Sequence, residues 1–157
     1  MSDSEVLWFT AFKGDIVIRG DPDYDQAISR WASNAVRKAM VVAFVKDAED
    51  VCLAIAFAKG TKMPLAIRGG GHSSSGASSI EDGIVIDLSR YLNGVRIDSK
   101  EKLAYASGGA VWETVDQAAI EHGLATVGGA VNHVRFFLCC TEIWSLKPHE
   151  YQTGIGG

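Results

Sequence analysis

The segment of this sequence best suited to chemistry is a run of glycine and serine, residues 68–76, which reads RGGGHSSSG. Successive glycines carry no Cβ atoms, so several backbone N–H groups can converge on one anion, and the serine hydroxyls add further donors. Such a loop is suited to bind a phosphate or pyrophosphate. The alternative is a plain mobile surface loop that binds no ligand. No Gly-Lys-Ser/Thr follows, which excludes a Walker loop. Ser74 breaks the third glycine of the Rossmann fingerprint.

One titratable side chain, His72, lies inside this loop. Its imidazole would lie beside any phosphate or ring that the loop bound, and the alternative is a histidine that faces solvent. We interpret Trp8, Trp31 and Trp112 as packing residues rather than stacking platforms. The acids of the first half of the chain are interpreted as helix-capping and solvating groups, not as paired catalytic carboxylates.

Alternating strands and helices must position this loop. The sequence pattern predicts helices at 21–38, 47–60 and 111–122 and strands at 40–45, 64–68, 84–88 and, more weakly, 103–106. Strand, helix and strand over residues 40–68 form a βαβ unit, and the glycine-rich loop leaves the end of its second strand. The predicted fold is therefore α/β, with a small, partly parallel mixed sheet flanked by helices.

Three details of the predicted helices can be compared with a structure. In the first helix, apolar residues recur at every fourth position over 27–39, Trp31 among them, and residues 21–23 (DPD) predict its N-terminal cap. In the second helix, Gly60 is the expected C-terminal stop. Cys52 belongs to the apolar pattern of that helix and is expected to be buried.

Length and composition exclude several classes of protein. The chain has 157 residues, 47% of them hydrophobic and 22% charged, with a formal net charge of -4. These values predict one globular domain, exclude a wholly disordered chain and argue against a nucleic-acid partner. No apolar run approaches the roughly 20 residues of a membrane-spanning helix, and the N-terminus lacks a secretory pattern, so a cytoplasmic location is expected. Three cysteines without a C-x-x-C argue against a disulfide framework, a zinc site or a redox dithiol.

Two stretches resemble a known family. Residues 64–87 (PLAIRGGGHSSSGASSIEDGIVID) resemble the FAD-binding signature of FAD-linked oxidases of the vanillyl-alcohol oxidase and berberine-bridge-enzyme type. Residues 107–133 (SGGAVWETVDQAAIEHGLATVGGAVNH) resemble the next signature of that family. With DPDYD at 21–25 and VVAFVKDAEDV at 41–51, the resemblance covers residues 12–133. It implies the N-terminal half of a PCMH-type FAD-binding domain.

The resemblance also implies roles for individual residues. The pyrophosphate loop of FAD would be formed by Arg68, Gly69, Gly70, Gly71, Ser73 and Gly76; Gly128, Gly129 and Val131 would border the flavin or its phosphates; Thr153 and Gly154 would continue the motif. His72 would carry a covalent bond to the flavin 8α-methyl group. Some relatives form a second link through a cysteine, which Val131 replaces here, so attachment is expected through His72 alone.

The chain departs from the family pattern at Val134. The family would continue from residues 132–133 directly into Thr-Gly-x-Gly-Gly, which stands here at residues 153–157, 19 residues late. Residues 134–152 have neither helical nor strand periodicity. They correspond to 57 coding bases, a multiple of three, and Val134 and Gln152 are compatible with the GT and AG ends of an intron. A retained intron is the favoured hypothesis, and a real surface insertion is the alternative.

The resemblance implies an FAD-dependent oxidoreductase that oxidises a small organic substrate by hydride transfer to the flavin, with oxygen as the second substrate. No nucleic-acid or membrane partner is expected. Relatives continue with a substrate-binding domain that supplies most catalytic side chains, so no catalytic residue is assigned here. The alternative is a truncated, non-catalytic fragment or FAD-binding module. In that alternative the walls that enclose the isoalloxazine ring would be missing, and a poor affinity for FAD is expected.

Overall fold

The protein divides into two compact units, residues 1–92 and residues 93–157. The structure is a computed structural model that describes Trp8, residues 10–125 and the backbone of residues 142–145 and 147–148. Over these described residues, no helix is both long and apolar enough to cross a membrane. The predicted α/β class is confirmed.

The first unit is built on a four-stranded mixed sheet. Its strands are β1 (Asp15–Ile18), β2 (Val41–Phe44), β3 (Leu65–Arg68) and β4 (Ile84–Asp87), in the spatial order β1-β2-β4-β3. β1 runs antiparallel to β2, whereas β2 and β3 both run parallel to β4. The predictions of β2, β3 and β4 are therefore confirmed, and β1 had no counterpart among the predicted strands.

The helix between β2 and β3, α2 (Ala48–Thr61), forms close to its predicted position. Its N-cap, Asp47, accepts a hydrogen bond from the backbone N–H of Asp50, as acids at a helix start commonly do. The buried Asp50 carboxylate accepts the backbone N–H groups of Lys13 and Lys46, which makes it a structural group. The predicted stop at Gly60 is wrong, because the helix continues to Thr61 and its C-cap is Lys62, which adopts a left-handed conformation (φ 55°).

The long helix predicted at 21–38 is wrong. The chain forms a short helix, α1 (Tyr24–Ile28), and one 3-10 turn at Ser33–Ala35, with extended backbone at Ser29 between them. The Asp23 side chain makes no capping hydrogen bond. The four-residue apolar spacing over 27–39 is therefore not the face of one helix. The alanines at 27, 35 and 39 are buried from separate short segments, whereas Trp31 is 67% exposed.

Apolar side chains cover both faces of the central strands. One face packs against α2 and Trp8. It includes Val41, Ala43, Ile84 and Ile86 from the sheet, Val45 directly after β2, and Ala54, Phe57 and Ala58 from the helix. The other face packs against α1 and the following turn, with Val42, Phe44 and Val85 from the sheet and Ala27, Ile28 and Ala39 outside it. The prediction that Cys52 is buried is wrong, because its position on α2 faces solvent rather than this core.

The second unit contains the helix α3 (Trp112–Ile120) and two small antiparallel sheets. β5 (Val95–Asp98), β6 (Leu103–Ala106) and β8 (Glu142–Ser145) form one sheet, and β7 (Leu124–Ala125) pairs with β9 (Lys147–Pro148) in the other. The predictions of β6 and α3 are confirmed, and Gly123 (φ +65°) turns the chain after the helix.

Two strands of the second unit lie within residues 134–152. The absence of a strand period there gave no sign of β8 and β9, which pair along the backbones of β6 and β7. Backbone pairing with an existing strand can order a segment whose side chains do not alternate. The periodicity of the sequence therefore did not predict the strands at 142–145 and 147–148.

Candidate functional site

The glycine-rich loop joins two parallel neighbours of the sheet. It leaves the carboxyl end of β3 at Gly69 and returns to the start of β4 at Ile84, without the helix that such crossovers commonly contain. Gly71 (φ +72°) and Gly76 (φ +81°) adopt left-handed conformations that suit glycine. Two backbone hydrogen bonds, Gly76 N–H to Ser73 C=O at 3.3 Å and Ser79 N–H to Gly76 C=O at 2.9 Å, fold the loop on itself.

A buried ion pair supports the start of the loop. Arg68 and Asp87 stand opposite each other in the parallel register of β3 and β4, and Arg68 Nη1 donates to Asp87 Oδ2 at 3.0 Å. Asp87 is fully buried, and its other oxygen accepts the backbone N–H and the hydroxyl of Ser89, at 2.8 and 2.6 Å. Both carboxylate oxygens are therefore satisfied, as a buried charge requires. The charge of this carboxylate is committed to holding Arg68 in place.

The segment after α1 makes hydrogen bonds to the backbone of the loop. Arg30 donates from Nε and Nη2 to the carbonyl of Ser78, at 3.1 and 2.7 Å. The backbone N–H of Trp31 donates to the carbonyl of Gly71 at 3.3 Å. Arg68 Nη1 also donates to the carbonyl of Ala27 at 3.0 Å. These bonds are made where the chain has left the helix, with extended backbone at Ser29, and they accompany the end of α1 at Ile28 in place of the long predicted helix.

The charges around the loop favour an anion. Burial, and secondarily the charge of Arg68, lower the pKa of Arg30 to about 10, so Arg30 is still a cation at neutral pH beside the guanidinium of Arg68. A third, Arg37, lies beside the loop, since a Cβ atom added at Gly76 would be 3.9 Å from its Nη2. Against these three cations stands the buried carboxylate of Asp87. At the far end of the loop, the carboxylates of Glu81 and Asp82 both pair with one further cation, Arg19, so positive charge still exceeds negative charge by one. The net positive charge matches the charge of a phosphate or pyrophosphate.

Three polar atoms at the loop lack a partner within the described part of the chain. They are Arg68 Nε, Ser78 Oγ and Ser79 Oγ, all buried. Buried polar atoms without partners are rare and mark places where ordered water or a ligand completes the bonding. Gly71 also allows a close approach of the backbone, since a Cβ atom there would lie 3.0 Å from Arg68 Nε. The donors, the charge and the glycine backbone fit the pyrophosphate of a dinucleotide such as FAD.

His72 is half-buried in the loop beside the aromatic ring of Trp31. The centroids of the imidazole and the indole are 6.1 Å apart, and the ring planes are tilted by 36°. The structure thus gathers the predicted residues from Arg68 to Gly76 into one loop. The other predicted site residues, Gly128, Gly129, Val131, Thr153 and Gly154, lie outside the described residues.

Sequence reasoning missed three residues of this site. Asp87 had a signal, since it is the one charged residue in the buried run IVIDL. Arg30 and Trp31 had none, because the four-residue spacing placed both on a regular helix. Across the described residues, no three His, Cys, Asp or Glu side chains group into a possible metal site.

Comparison with known proteins identifies a family. The family profile described as FAD binding domain matches residues 39–133. The FAD-linked oxidoreductase hasG of Aspergillus fumigatus is 33% identical over 120 residues, which are 76% of this chain and 25% of that protein. The (R)-6-hydroxynicotine oxidase of Paenarthrobacter nicotinovorans is 27% identical over 126 residues, 80% of this chain and 27% of that protein. The chain thus spans about a quarter of the length of these relatives.

Solved structures share the fold. The crystal structure of 6-hydroxy-D-nicotine oxidase from Arthrobacter nicotinovorans matches with a TM-score of 0.77 and 27% identity, over 80% of this chain and 27% of that one. The BBE-like 1 protein of Physcomitrella patens matches with a TM-score of 0.76 and 18% identity, over 85% of this chain and 29% of that one, which supports the fold alone. The chain belongs to the FAD-binding domain family of the FAD-linked oxidoreductases.

Proposed function

We propose that this chain forms the pyrophosphate-binding part of an FAD-dependent oxidoreductase. The observation that carries the proposal is the loop after β3, in which glycine backbone and serine hydroxyls lie among three guanidinium groups. Membership of the FAD-binding family identifies which anion such a loop would hold. The backbone of residues 69–71 approaches the phosphates, and Arg68 and Arg30 keep the loop in a shape that can receive them.

The other predicted positions complete the proposed cofactor site. Within the loop, Ser73 and Gly76 bind the pyrophosphate together with the three glycines. A second group borders the flavin or its phosphates: Gly128, Gly129, Val131, Thr153 and Gly154. Residues 12–133 would form part of one FAD-binding domain, and residues 153–157 would continue its motif.

His72 is the proposed attachment point of the flavin. An imidazole nitrogen would form a bond to the 8α carbon of the flavin. The new C–N bond replaces the imidazole N–H bond and one methyl C–H bond. The two hydrogens, with their two electrons, pass to oxygen as hydrogen peroxide, so the flavin ends in its oxidised form. The half-buried position of His72 in the loop supports this role, because a residue next to the bound phosphates is within reach of the same cofactor.

The proposed reaction is the oxidation of a small organic molecule. When bound, FAD would supply the hydride acceptor for the substrate, at N5, and the route of the electrons to oxygen. The relatives named as FAD-linked oxidoreductase and as (R)-6-hydroxynicotine oxidase support this reaction class. The loop residues bind and orient the cofactor and take no part in the proton transfer of the substrate.

A second candidate function is binding of FAD without turnover. The observation that favours it is that the groups gathered at the loop suit the binding of phosphates, whereas no described residue is assigned to the chemistry of a substrate. Production of hydrogen peroxide with candidate amines and alcohols distinguishes the two functions. Peroxide formed in proportion to substrate supports the oxidase, and bound FAD without any peroxide supports the binding module.

We also propose that residues 134–152 are a retained intron. The 57 coding bases and the late Thr-Gly-x-Gly-Gly motif support the idea. Sequencing of the transcript tests it. Messages that lack the 57 bases and join residue 133 directly to residue 153 are expected, whereas messages that all contain them would contradict the proposal.

A pair of His→Ala variants tests the attachment. The purified chain is incubated with excess FAD and precipitated with acid, and flavin absorbance is measured in the pellet and the supernatant. We expect flavin in the pellet of the wild type and of the control His122→Ala, which changes an exposed histidine after α3. His72→Ala should release all its flavin to the supernatant. Flavin that stays in the pellet of His72→Ala would contradict the assignment.

A further inference from the structure

Trp31 is the most exposed of the large hydrophobic side chains in the described part of the first unit, with 67% of its surface accessible. Burial of an indole is strongly favourable, so a tryptophan left in solvent commonly marks a surface that another molecule covers. Its neighbours in the sequence pattern, Ala27 and Ala35, are buried. The extended backbone at Ser29 turns Trp31 away from them and toward the loop.

The position of Trp31 is fixed by the loop itself. Its backbone N–H donates to the carbonyl of Gly71, and the preceding residue, Arg30, grips the carbonyl of Ser78. These bonds hold the indole 6.1 Å, between ring centroids, from the imidazole of His72. An aromatic wall therefore stands next to the proposed attachment residue.

We propose that Trp31 is a positioning residue whose indole contacts the dimethylbenzene edge of the flavin beside His72. The inference rests on the proposed function, because a bond from His72 to the 8α carbon brings that edge of the flavin to the imidazole. The dimethylbenzene edge is apolar and aromatic, so it matches the indole in chemistry and gains from stacking or edge contact with it. The contact orients the 8α carbon toward His72 and shields the new bond from water.

The test distinguishes a contact with the flavin from a contact with the phosphates. In a His72→Ala background, where binding is reversible, we compare the affinities for FAD and for ADP, which has the pyrophosphate but no flavin. Trp31→Ala should weaken FAD about three- to tenfold, the range that aromatic contacts contribute. It should leave ADP within about twofold, and Trp31→Phe should restore most of the FAD affinity because it keeps an aromatic face. Ile120→Ala, at another exposed apolar residue, is the control and should change neither affinity.

A second readout follows the covalent step. With His72 present, the fraction of flavin in the acid pellet after a fixed incubation should fall in Trp31→Ala and recover in Trp31→Phe. Urea unfolding of each variant checks that the fold is kept, as expected for an exposed side chain.

Each outcome has one meaning. FAD affinity unchanged in Trp31→Ala overturns the inference and leaves the proposed function standing. Equal losses for FAD and ADP also overturn it, since Trp31 would then support the loop backbone rather than the flavin. If the His72→Ala parent binds neither FAD nor ADP, the proposed function itself fails, and the role of Trp31 fails with it.

Discussion

Removal of the buried carboxylate beneath the loop should destabilise the first unit by a large amount. In Asp87→Asn the amide oxygen can still accept from Ser89, but an NH₂ group now faces Arg68 Nη1 across a distance of 3.0 Å. The guanidinium of Arg68, only 16% exposed, loses its counter-charge, and Arg30 remains nearby as a second cation. Breaking one side of a buried ion pair costs about 3–5 kcal/mol.

We expect the lower end of this range, a loss of about 3 kcal/mol in the free energy of unfolding, because Arg68 keeps its bond to the carbonyl of Ala27. The assay is urea unfolding followed by far-ultraviolet circular dichroism. The matched control is Asp82→Asn, whose carboxylate also pairs with an arginine, Arg19, but is 67% exposed. An exposed pair contributes less than about 1 kcal/mol. If Asp87→Asn and Asp82→Asn lose the same free energy, the view of Asp87 as the buried support of the loop is refuted.

Two further substitutions test the backbone and the surface charges. Gly71→Ala should lower the free energy of unfolding by about 1–2 kcal/mol, since φ is +72° and the new Cβ would meet a guanidinium at 3.0 Å. The control in the same urea assay is Gly94→Ala, where the new Cβ lies in open space. Equal stability of the two variants would contradict the argument. Hydrogen bonds from Tyr91 and then Arg90 hold the pKa of Asp15 below its ordinary value. Its stabilising effect should therefore be present above the unfolded-state pKa of about 4 and be lost as the pH falls through the lower folded-state pKa. Asp15→Asn should be less stable than the wild type by under about 1 kcal/mol at pH 7 and equal to it in strong acid, and a difference that persists in acid would contradict this origin.

The elements that sequence patterns predicted are those whose local signals agree with their burial. The runs at 40–45 and 84–88 are apolar, apart from Asp87, because both faces of β2 and β4 are covered, and Asp47 caps α2 in the conventional way. The edge strand β1 was missed because only one of its four residues, Val17, is buried, so its pattern is weak.

The site was only partly predictable, for a physical reason. The glycine-rich loop is a local feature, and its glycines indicate an unusual backbone conformation even when the fold is unknown. The clasp by Arg30 and Trp31 depends on contacts across some 40 residues of sequence, with Gly71 and Ser78. Tertiary hydrogen bonds there override a helical spacing that sequence alone favours. The exposure of Cys52 was missed for a related reason. In a helix rich in alanine, the sequence does not indicate which face packs against the sheet.

The most direct test of the central claim is the mass of one peptide. Cleavage by trypsin after Arg68 and Arg90 releases residues 69–90, which contain a single histidine, His72, and no cysteine. After incubation of the chain with excess FAD in air, mass spectrometry should show this peptide heavier by one FAD less two hydrogens, with the added mass on His72. A chain that binds FAD yet yields only the unmodified peptide would contradict the covalent attachment, and a chain that binds no FAD would contradict the assignment of the loop.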